Sequence, residues 1–340
     1  MAQQLTPLLE VQDLQIEYRS ERGPVRAVDN VSFSIAPGEV FGLAGESGSG
    51  KSTIAMAIMR VLHPPVADVV GGKVLLDGND VLALGGRDLE RLRWRTVSMV
   101  FQSAMNALNP VMTVGDQIVD AIRAHEATPK KEAVDRAREL LALTGIESSR
   151  AGSYPHELSG GMRQRAVIAM ALCLNPQLII MDEPTTGLDV VVQREIMEQI
   201  ESLKQRLGFS ILFITHDLSL LIEFCTHAAI MYAGQIVEQA PASELFNHPQ
   251  HPYTQGLMAC FPSIRAAKSR LEGVPGSPPD MVAPPSGCRF HPRCPYAEPR
   301  YQESVPELLP VGPDHLVACH RVHESLGLVP DPRRPQVVQS

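Results

Sequence analysis

Apolar and polar positions alternate from Leu8 to about Leu43: Val11, Leu14, Ile16 and Tyr18, then Val31, Phe33 and Ile35, with Pro37-Gly38 punctuating the run. Such alternation predicts an antiparallel sheet with one buried face. The texture then shifts. Val40, Phe41 and Leu43 make a short apolar run suited to a buried strand, and Ile54, Ala55, Met56, Ile58 and Met59 supply the core side of a helix that ends before Pro64-Pro65. A strand follows over Gly72–Gly78, a helical pattern over about Asp88–Arg95 and a strand over Val97–Phe101. From Ser103 to about His156, helical segments are separated by Asn109-Pro110, Thr128-Pro129 and Tyr154-Pro155, which predicts an inserted helical subdomain. Beyond it come a helix within Leu158–Leu174, an apolar strand over Gln177–Met181, a helix over Val190–Leu207, a strand over Ser210–Thr215, a helix over Leu218–Phe224 and a hairpin around Ala233-Gly234. Strands alternating with helices predict an α/β fold whose mostly parallel core sheet is covered on both faces.

Composition narrows the class. A chain of 340 residues can bury a full core and leave room for a second, smaller module. A net charge of −8 offers no global basic field for nucleic acid. No apolar run approaches the ~18–20 residues that span a bilayer; Ala166–Leu174 stops at Asn175-Pro176 and reads as a buried helix. The N-terminus shows no basic-then-apolar-then-small pattern, so a soluble, cytosolic protein is expected. Six cysteines in such a chain suggest free thiols or a metal site, not a disulfide framework. Cys173, Cys225 and Cys260 lie in apolar surroundings, as buried thiols do.

The chemistry centres on Gly45-Glu46-Ser47-Gly48-Ser49-Gly50-Lys51-Ser52-Thr53, which reads G-x-x-x-x-G-K-[ST] between a predicted strand and a predicted helix. The glycines let backbone N–H groups converge on phosphate oxygens, and the helix N-terminus adds partial positive charge. Lys51 would reach the β- and γ-phosphates of a nucleotide and Ser52 would ligate magnesium. The strand Leu178–Met181 delivers Asp182 and Glu183 at its C-terminal end, where ligands bind in open α/β sheets. Asp182 suits the magnesium, and Glu183 could polarise an attacking water as general base. Ser159-Gly160-Gly161 opens a helix and reads either as a second anion site or as ordinary helix-start chemistry.

In this order, the glycine loop, Leu158-Ser159-Gly160-Gly161, Asp182-Glu183, Gly187-Leu188-Asp189 and Thr215-His216-Asp217 resemble the ATP-binding-cassette ATPases over about residues 8–245. Gln102 matches that family's Q-loop glutamine, and Tyr18 sits where the family places an aromatic that stacks on adenine. The run Phe101–Pro110, Ser159–Arg165 with Met162 in place of the usual Gln, and His251-Pro252-Tyr253-Thr254 are similar to the D-type ATPases of oligopeptide and dipeptide importers in the peptide/nickel branch. The resemblance implies a cassette ATPase domain over 1–265, with its helical subdomain at about 103–158. It implies that Gly45, Ser47, Gly48, Ser49, Gly50, Lys51, Ser52 and Thr53 bind ATP and magnesium. Gln102 would sense the metal and the lytic water, and His216 would contact the γ-phosphate. Asp189 would cross a dimer axis, while Ser159, Gly160 and Gly161 complete the ATP site of the opposite subunit. The implied partners are a second ATPase, expected to be a paralogous F-type subunit, and two integral membrane permeases; an extracytoplasmic solute-binding protein acts indirectly and nucleic acid has no part. The expected place is the cytoplasmic face of the cell membrane. Alternatives are the ATPase of a nickel or other solute importer, and a soluble cassette ATPase acting on DNA or ribosomes.

Past a Pro/Gly/Ser-rich linker (266–287) lies a Cys/His/Pro-rich module over 288–325, too short to be expected to have much core of its own, and then a tail over 326–340. Cys288, Cys294 and Cys319 resemble three of the four cysteines that hold an iron–sulfur cluster in several peptide-importer ATPases, with Tyr301 where the third is expected. A [4Fe–4S] cluster is normally held by four thiolates. A Cys₃His zinc site with His291, His315 or His320, and a module without metal, stand beside it as readings.

Overall fold

The computed structural model describes residues 6–102, 107–259 and 273–328. Ser103 to Asn106 of the glutamine-bearing run, Cys260, the first part of the predicted linker and the end of the tail lie outside them. The alternating N-terminal segment forms β1 (Leu9–Ser20) and β2 (Gly23–Ile35), antiparallel, with Leu9 opposite Ile35 and Val11 opposite Phe33. Next come β3 (Val40–Ala44), α1 (Lys51–Ile58), β4 (Ala67–Leu76), β5 (Asn79–Asp80), α2 (Gly86–Arg95) and β6 (Val97–Val100). The helical insertion carries α3 (Val114–His125) and α4 (Lys130–Leu143). It leads into α5 (Gly160–Ala171), β7 (Leu178–Asp182), α6 (Val190–Leu207), β8 (Ser210–Thr215) and α7 (Leu218–Phe224). The hairpin β9 (His227–Tyr232) and β10 (Gln235–Pro241) is followed by α8 (Ala242–Asn247), α9 (Pro252–Ala259), β11 (Leu309–Gly312), β12 (His315–Val317) and α10 (His320–Ser325).

Two sheets result, ordered β2-β1-β4-β5 and β11-β12-β10-β9-β3-β8-β7-β6. In the second, β9, β3, β8, β7 and β6 run parallel, while β10, β12 and β11 add antiparallel at one edge. The period-2 pattern divides each parallel strand between two cores. Ile179 and Met181 face the helical side with Ile211 and Phe213, whereas Leu178 and Ile180 face the antiparallel sheet with Leu212 and Ile214. All five residues of β3 are buried, as a strand covered on both faces requires.

Two local readings differ from the structure. β4 begins at Ala67, before Gly72, because Gly72 (φ 86°) lies inside the strand where β1 shifts register past Gln12; a Cβ there would stand 2.5 Å from the Gln12 and Asp13 carbonyl oxygens. The α2 pattern breaks at Arg93 and Trp94, whose backbone is not helical. Arg93 instead donates to the Met59 and Arg60 carbonyls at 3.0 and 2.8 Å, satisfying the end of α1.

A buried carboxylate organises the second edge. Glu238 of β10, fully buried, accepts from the Gln250 and His251 N–H groups at 2.7 and 3.0 Å and bonds His315 Nε2 at 2.8 Å. His251 is itself buried, and its Nδ1 accepts from the Tyr253 N–H at 3.0 Å, which requires the neutral ring. Burial, with a smaller contribution from His323, pushes its pKa down to about 4 against the pull of Glu238. The unfolded chain therefore binds a proton that the folded chain refuses between pH 6.5 and about 4, so stability falls as pH drops through that window. The loss reaches about 3 kcal/mol. Melting temperature measured against pH should show this slope, and His251→Gln should flatten it; an unchanged slope in the variant would remove His251 as its source.

Candidate functional site

The Gly45–Thr53 loop is wedged between the two sheets, and its glycines are dictated by that crowding. Gly45 has φ 150° and a Cβ there would stand 2.2 Å from the Met231 carbonyl oxygen; Gly50, φ 102°, would meet that of Ala27 at 2.3 Å. No side chain fits either position. Ser47 and Gly48 stand at the exposed rim, Ser49 is buried, and its carbonyl accepts from the Gly234 N–H at 3.1 Å. Lys51 is buried at the start of α1, with Nζ donating to the Gly45 and Glu46 carbonyls at 2.8 and 2.9 Å and to Ser49 Oγ at 3.2 Å. Burial lowers its pKa against the raising pull of Glu183, Asp182 and Glu46. Tyr18, on β1, reaches the same loop: its hydroxyl lies 3.3 Å from Thr53 Oγ1.

The carboxyl ends of three parallel strands converge beside it. β7 ends in Asp182, whose Oδ1 accepts from Ser52 Oγ at 3.1 Å. Burial raises the Asp182 pKa, opposed by the Ser52 hydroxyl and Lys51 and reinforced by Glu183. Glu183 turns out of the strand with φ 47°, a left-handed conformation strained for a non-glycine residue, while its N–H still bonds the Ile214 carbonyl at 2.9 Å. That turn aims its carboxylate at two other strand ends. Gln102, just past β6, donates through Nε2 to Oε2 at 2.8 Å, and His216, just past β8, bonds Oε1 through Nδ1 at 3.0 Å. Thr186 adds a hydroxyl donor to Oε2 at 3.1 Å. Burial would raise the Glu183 pKa, but the His216 bond and charge, Thr186 and Lys51 outweigh it and hold the carboxyl below its ordinary value.

Ser159, Gly160, Gly161 and Asp189 form a separate group. Ser159 caps α5, its Oγ accepting from the Met162 N–H at 3.3 Å, and Asp189 caps α6 by accepting from Val191 and Val192 N–H groups at 3.1 and 3.0 Å. A Cβ on Gly161 would stand 2.7 Å from Val192 Cγ1, so the glycine lets the two helix starts meet. Among the described residues no hydrogen bond joins this group to the Gly45–Thr53 loop. Val190 and Val191 beside it are exposed.

Residues 28–186 match the family described as "ABC transporter", and residues 237–300 match "Oligopeptide/dipeptide transporter, C-terminal region". The "Probable peptide ABC transporter ATP-binding protein y4tR" of Sinorhizobium fredii is 44% identical over 324 residues, covering 94% of this chain and 97% of its own. The chain belongs to the ATP-binding proteins of the oligopeptide/dipeptide ABC transporter family. The "Oligopeptide transport ATP-binding protein OppD" of Bacillus subtilis is 42% identical over 331 residues, covering 96% of this chain and 92% of its own. Among solved structures, the dimeric post-hydrolysis cassette MJ0796 bound to ADP and Pi matches with TM-score 0.62 at 28% identity, covering 69% of this chain and 98% of that one. The ABC cassette is an α/β ATP-hydrolysing domain, and its substrate is ATP with Mg2+.

The oxygen donors of Ser52 and Asp182, in contact beside a lysine, fit the hard magnesium ion that accompanies ATP. The cysteine module is different. Cys288, Cys294 and Cys319 lie near one another; burial raises each thiol's pKa, Cys288 to about 11, with the neighbouring thiols adding to it. Of the remaining candidates for a fourth ligand, His291 turns its Nδ1 to the Cys288 carbonyl at 2.9 Å, and the others are engaged elsewhere. Tyr301 donates its hydroxyl to Glu324 at 3.1 Å and stacks on His320. His315 Nε2 is on Glu238 and His320 Nε2 is 2.8 Å from the Ser304 carbonyl. Among the described residues no group of three or more His, Cys, Asp or Glu side chains converges as metal ligands do. The residues therefore do not fit a [4Fe–4S] cluster or a Cys₃His zinc site.

Glu46, Thr186, Arg289 and Arg293 also belong to the neighbourhood of the site. Nothing in the sequence marks them: an arginine in a Pro- and His-rich tail reads as solvated surface.

Proposed function

We propose that this chain is the subunit whose ATP hydrolysis powers import of di- or oligopeptides, docked on the cytoplasmic face of the membrane against two integral permease subunits. A paralogous ATPase pairs with it, and an extracytoplasmic solute-binding protein delivers the cargo. Among the described residues no helix is long and apolar enough to cross a membrane; in this reading the permease subunits supply the path for the cargo. The names of the relatives and the match to the transporter C-terminal region support peptides as that cargo.

The observation that carries the ATPase mechanism is the bracing of Glu183 on both carboxylate oxygens by Gln102 and His216. Held ionised and fixed in direction, Glu183 orients and deprotonates the water that attacks the γ-phosphate. Lys51 exchanges the Gly45 and Glu46 carbonyls for phosphate oxygens, and the amides of Ser47 to Thr53 stabilise charge on the triphosphate. Ser52 and Asp182 would hold the magnesium that accompanies ATP, which would neutralise charge on the triphosphate. Tyr18 stacks on the adenine. The separate group of Ser159, Gly160, Gly161 and Asp189 serves the ATP of the opposite subunit, which agrees with its lack of hydrogen bonds to its own loop. ATP then favours the closed pair of ATPases, and hydrolysis reverses that bias.

Reconstitution with co-purifying membrane subunits tests the reading. ATP-dependent uptake of labelled di- and oligopeptides is expected; uptake of nickel without peptide would reassign the cargo, and a chain that never co-purifies with membrane subunits would remove it from transport. For the cysteine module we propose a fold without metal. Protein purified without oxygen should carry well under one iron or zinc per chain, and stoichiometric metal with acid-labile sulfide would overturn that.

A further inference from the structure

The described part of the C-terminal segment packs against the back of the phosphate-binding loop. Arg293 has a buried side chain, 6% exposed. Its Nη1 donates to Glu46 Oε2 at 2.8 Å and its Nη2 to Glu46 Oε1 at 2.9 Å, while Nε donates to the Pro275 carbonyl at 2.7 Å. The guanidinium also lies over the Tyr232 ring, 5.6 Å from its centroid. A planar fork meeting both carboxylate oxygens is a geometry that arginine matches and lysine does not.

Glu46 is the second residue of the loop, and its backbone is committed as well. Its N–H donates to Tyr253 Oη at 3.0 Å, and its carbonyl accepts from Lys51 Nζ at 2.9 Å. One residue thus joins Arg293 to the lysine that reaches the phosphates. Arg289 fixes the adjoining wall by donating at 2.5 Å to both the Ala233 carbonyl and Asp29 Oδ2, next to the Gly234 N–H that holds Ser49. A cavity of about 220 Å³ lies between Glu46–Ser49 and Pro278, Pro279 and Met281, so in this stretch of the C-terminal segment the described contacts to the loop centre on the Arg293–Glu46 pair.

We infer that Arg293 is a positioning residue for ATP binding. Through Glu46 it holds the phosphate-binding loop in the shape from which Lys51 reaches nucleotide, and the C-terminal segment thereby sets the affinity of a loop 247 residues earlier in the chain. The inference rests on the ATP site and not on the nature of the cargo.

The test uses the full chain, with Mg-ATP binding read by displacement of a fluorescent ATP analogue, and steady-state hydrolysis. Arg293→Ala should weaken binding and raise KM by roughly tenfold while kcat changes less than about threefold. Arg293→Lys should recover part of the loss. Glu46→Gln removes the carboxylate's charge, so weaker binding in that variant reports loop shape and not repulsion of the triphosphate. The double variant should bind no worse than the weaker single, because both remove the same pair. Arg300→Ala breaks the exposed pairs to Glu298 and Glu324 in the same segment and should leave affinity unchanged. Folded Arg293→Ala protein that binds as well as wild type would overturn the inference. So would losses that add in the double variant, or an equal loss in Arg300→Ala. Wild-type protein that fails to bind ATP would sink the ATPase reading instead.

Discussion

Replacing Glu183 with Gln is expected to lower ATP turnover by roughly 10²–10⁴-fold while Mg-ATP binding stays within about threefold of wild type. The substitution keeps the side chain's shape and one of its oxygens, so Gln102 or His216 retains a partner; what disappears is the capacity to take a proton. The neighbours make that capacity available at neutral pH, since they hold the carboxyl below its ordinary range despite burial. Asp182, one residue earlier, cannot take over the role. It sits at the end of the strand against Ser52, buried, with burial as the main influence on its pKa, whereas Glu183 alone makes the left-handed turn that reaches the other strand ends. Single-turnover hydrolysis and equilibrium ATP binding on one preparation would separate the two effects. Turnover within a factor of about five of wild type would remove Glu183 as the base.

Lys51→Ala should produce the opposite division, with Mg-ATP affinity falling roughly 10²-fold or more because a buried cation facing the phosphates is lost. The ammonium lowers the pKa of both Asp182 and Glu183. Its removal leaves those carboxylates to repel a triphosphate in a partly dehydrated site, so the loss exceeds that of one hydrogen bond. Stability should change less, since Nζ bonds two carbonyls and a hydroxyl of its own loop and no other element. Calorimetric titration with Mg-ATP checks the affinity, with a thermal melt as control. Affinity within about fivefold of wild type would show that the loop amides alone hold the phosphates.

Much of this site was legible because its requirements are local. A strand, a glycine loop and a helix must be contiguous to cradle phosphate, and Gly45, Gly50, Lys51 and Ser52 carry that demand within one turn of chain. The same holds for Leu178–Asp182, whose apolar run and terminal acid specify a buried strand and its exit, and for Ser159 at the start of its helix. The periodicity placed α6, β8 and α7 at the bounds found in the structure. Where a residue's meaning depends on a distant backbone, the pattern misled: Gly72 read as the beginning of a strand because the bulge it accommodates belongs to β1.

The sequence by itself determined the α/β alternation, the glycine loop between its strand and helix and the strand end that bears the acids, because spacing along a few residues fixes backbone shape and burial. The tertiary structure alone decided that Glu183 would be braced from two sides by Gln102 and His216. It also decided that β12 would extend the central sheet through β10, and that Arg293 would close on Glu46. Such pairings join residues tens to hundreds of positions apart, and a side chain's partner is then chosen by the packing of whole sheets, a choice that no local period or propensity records.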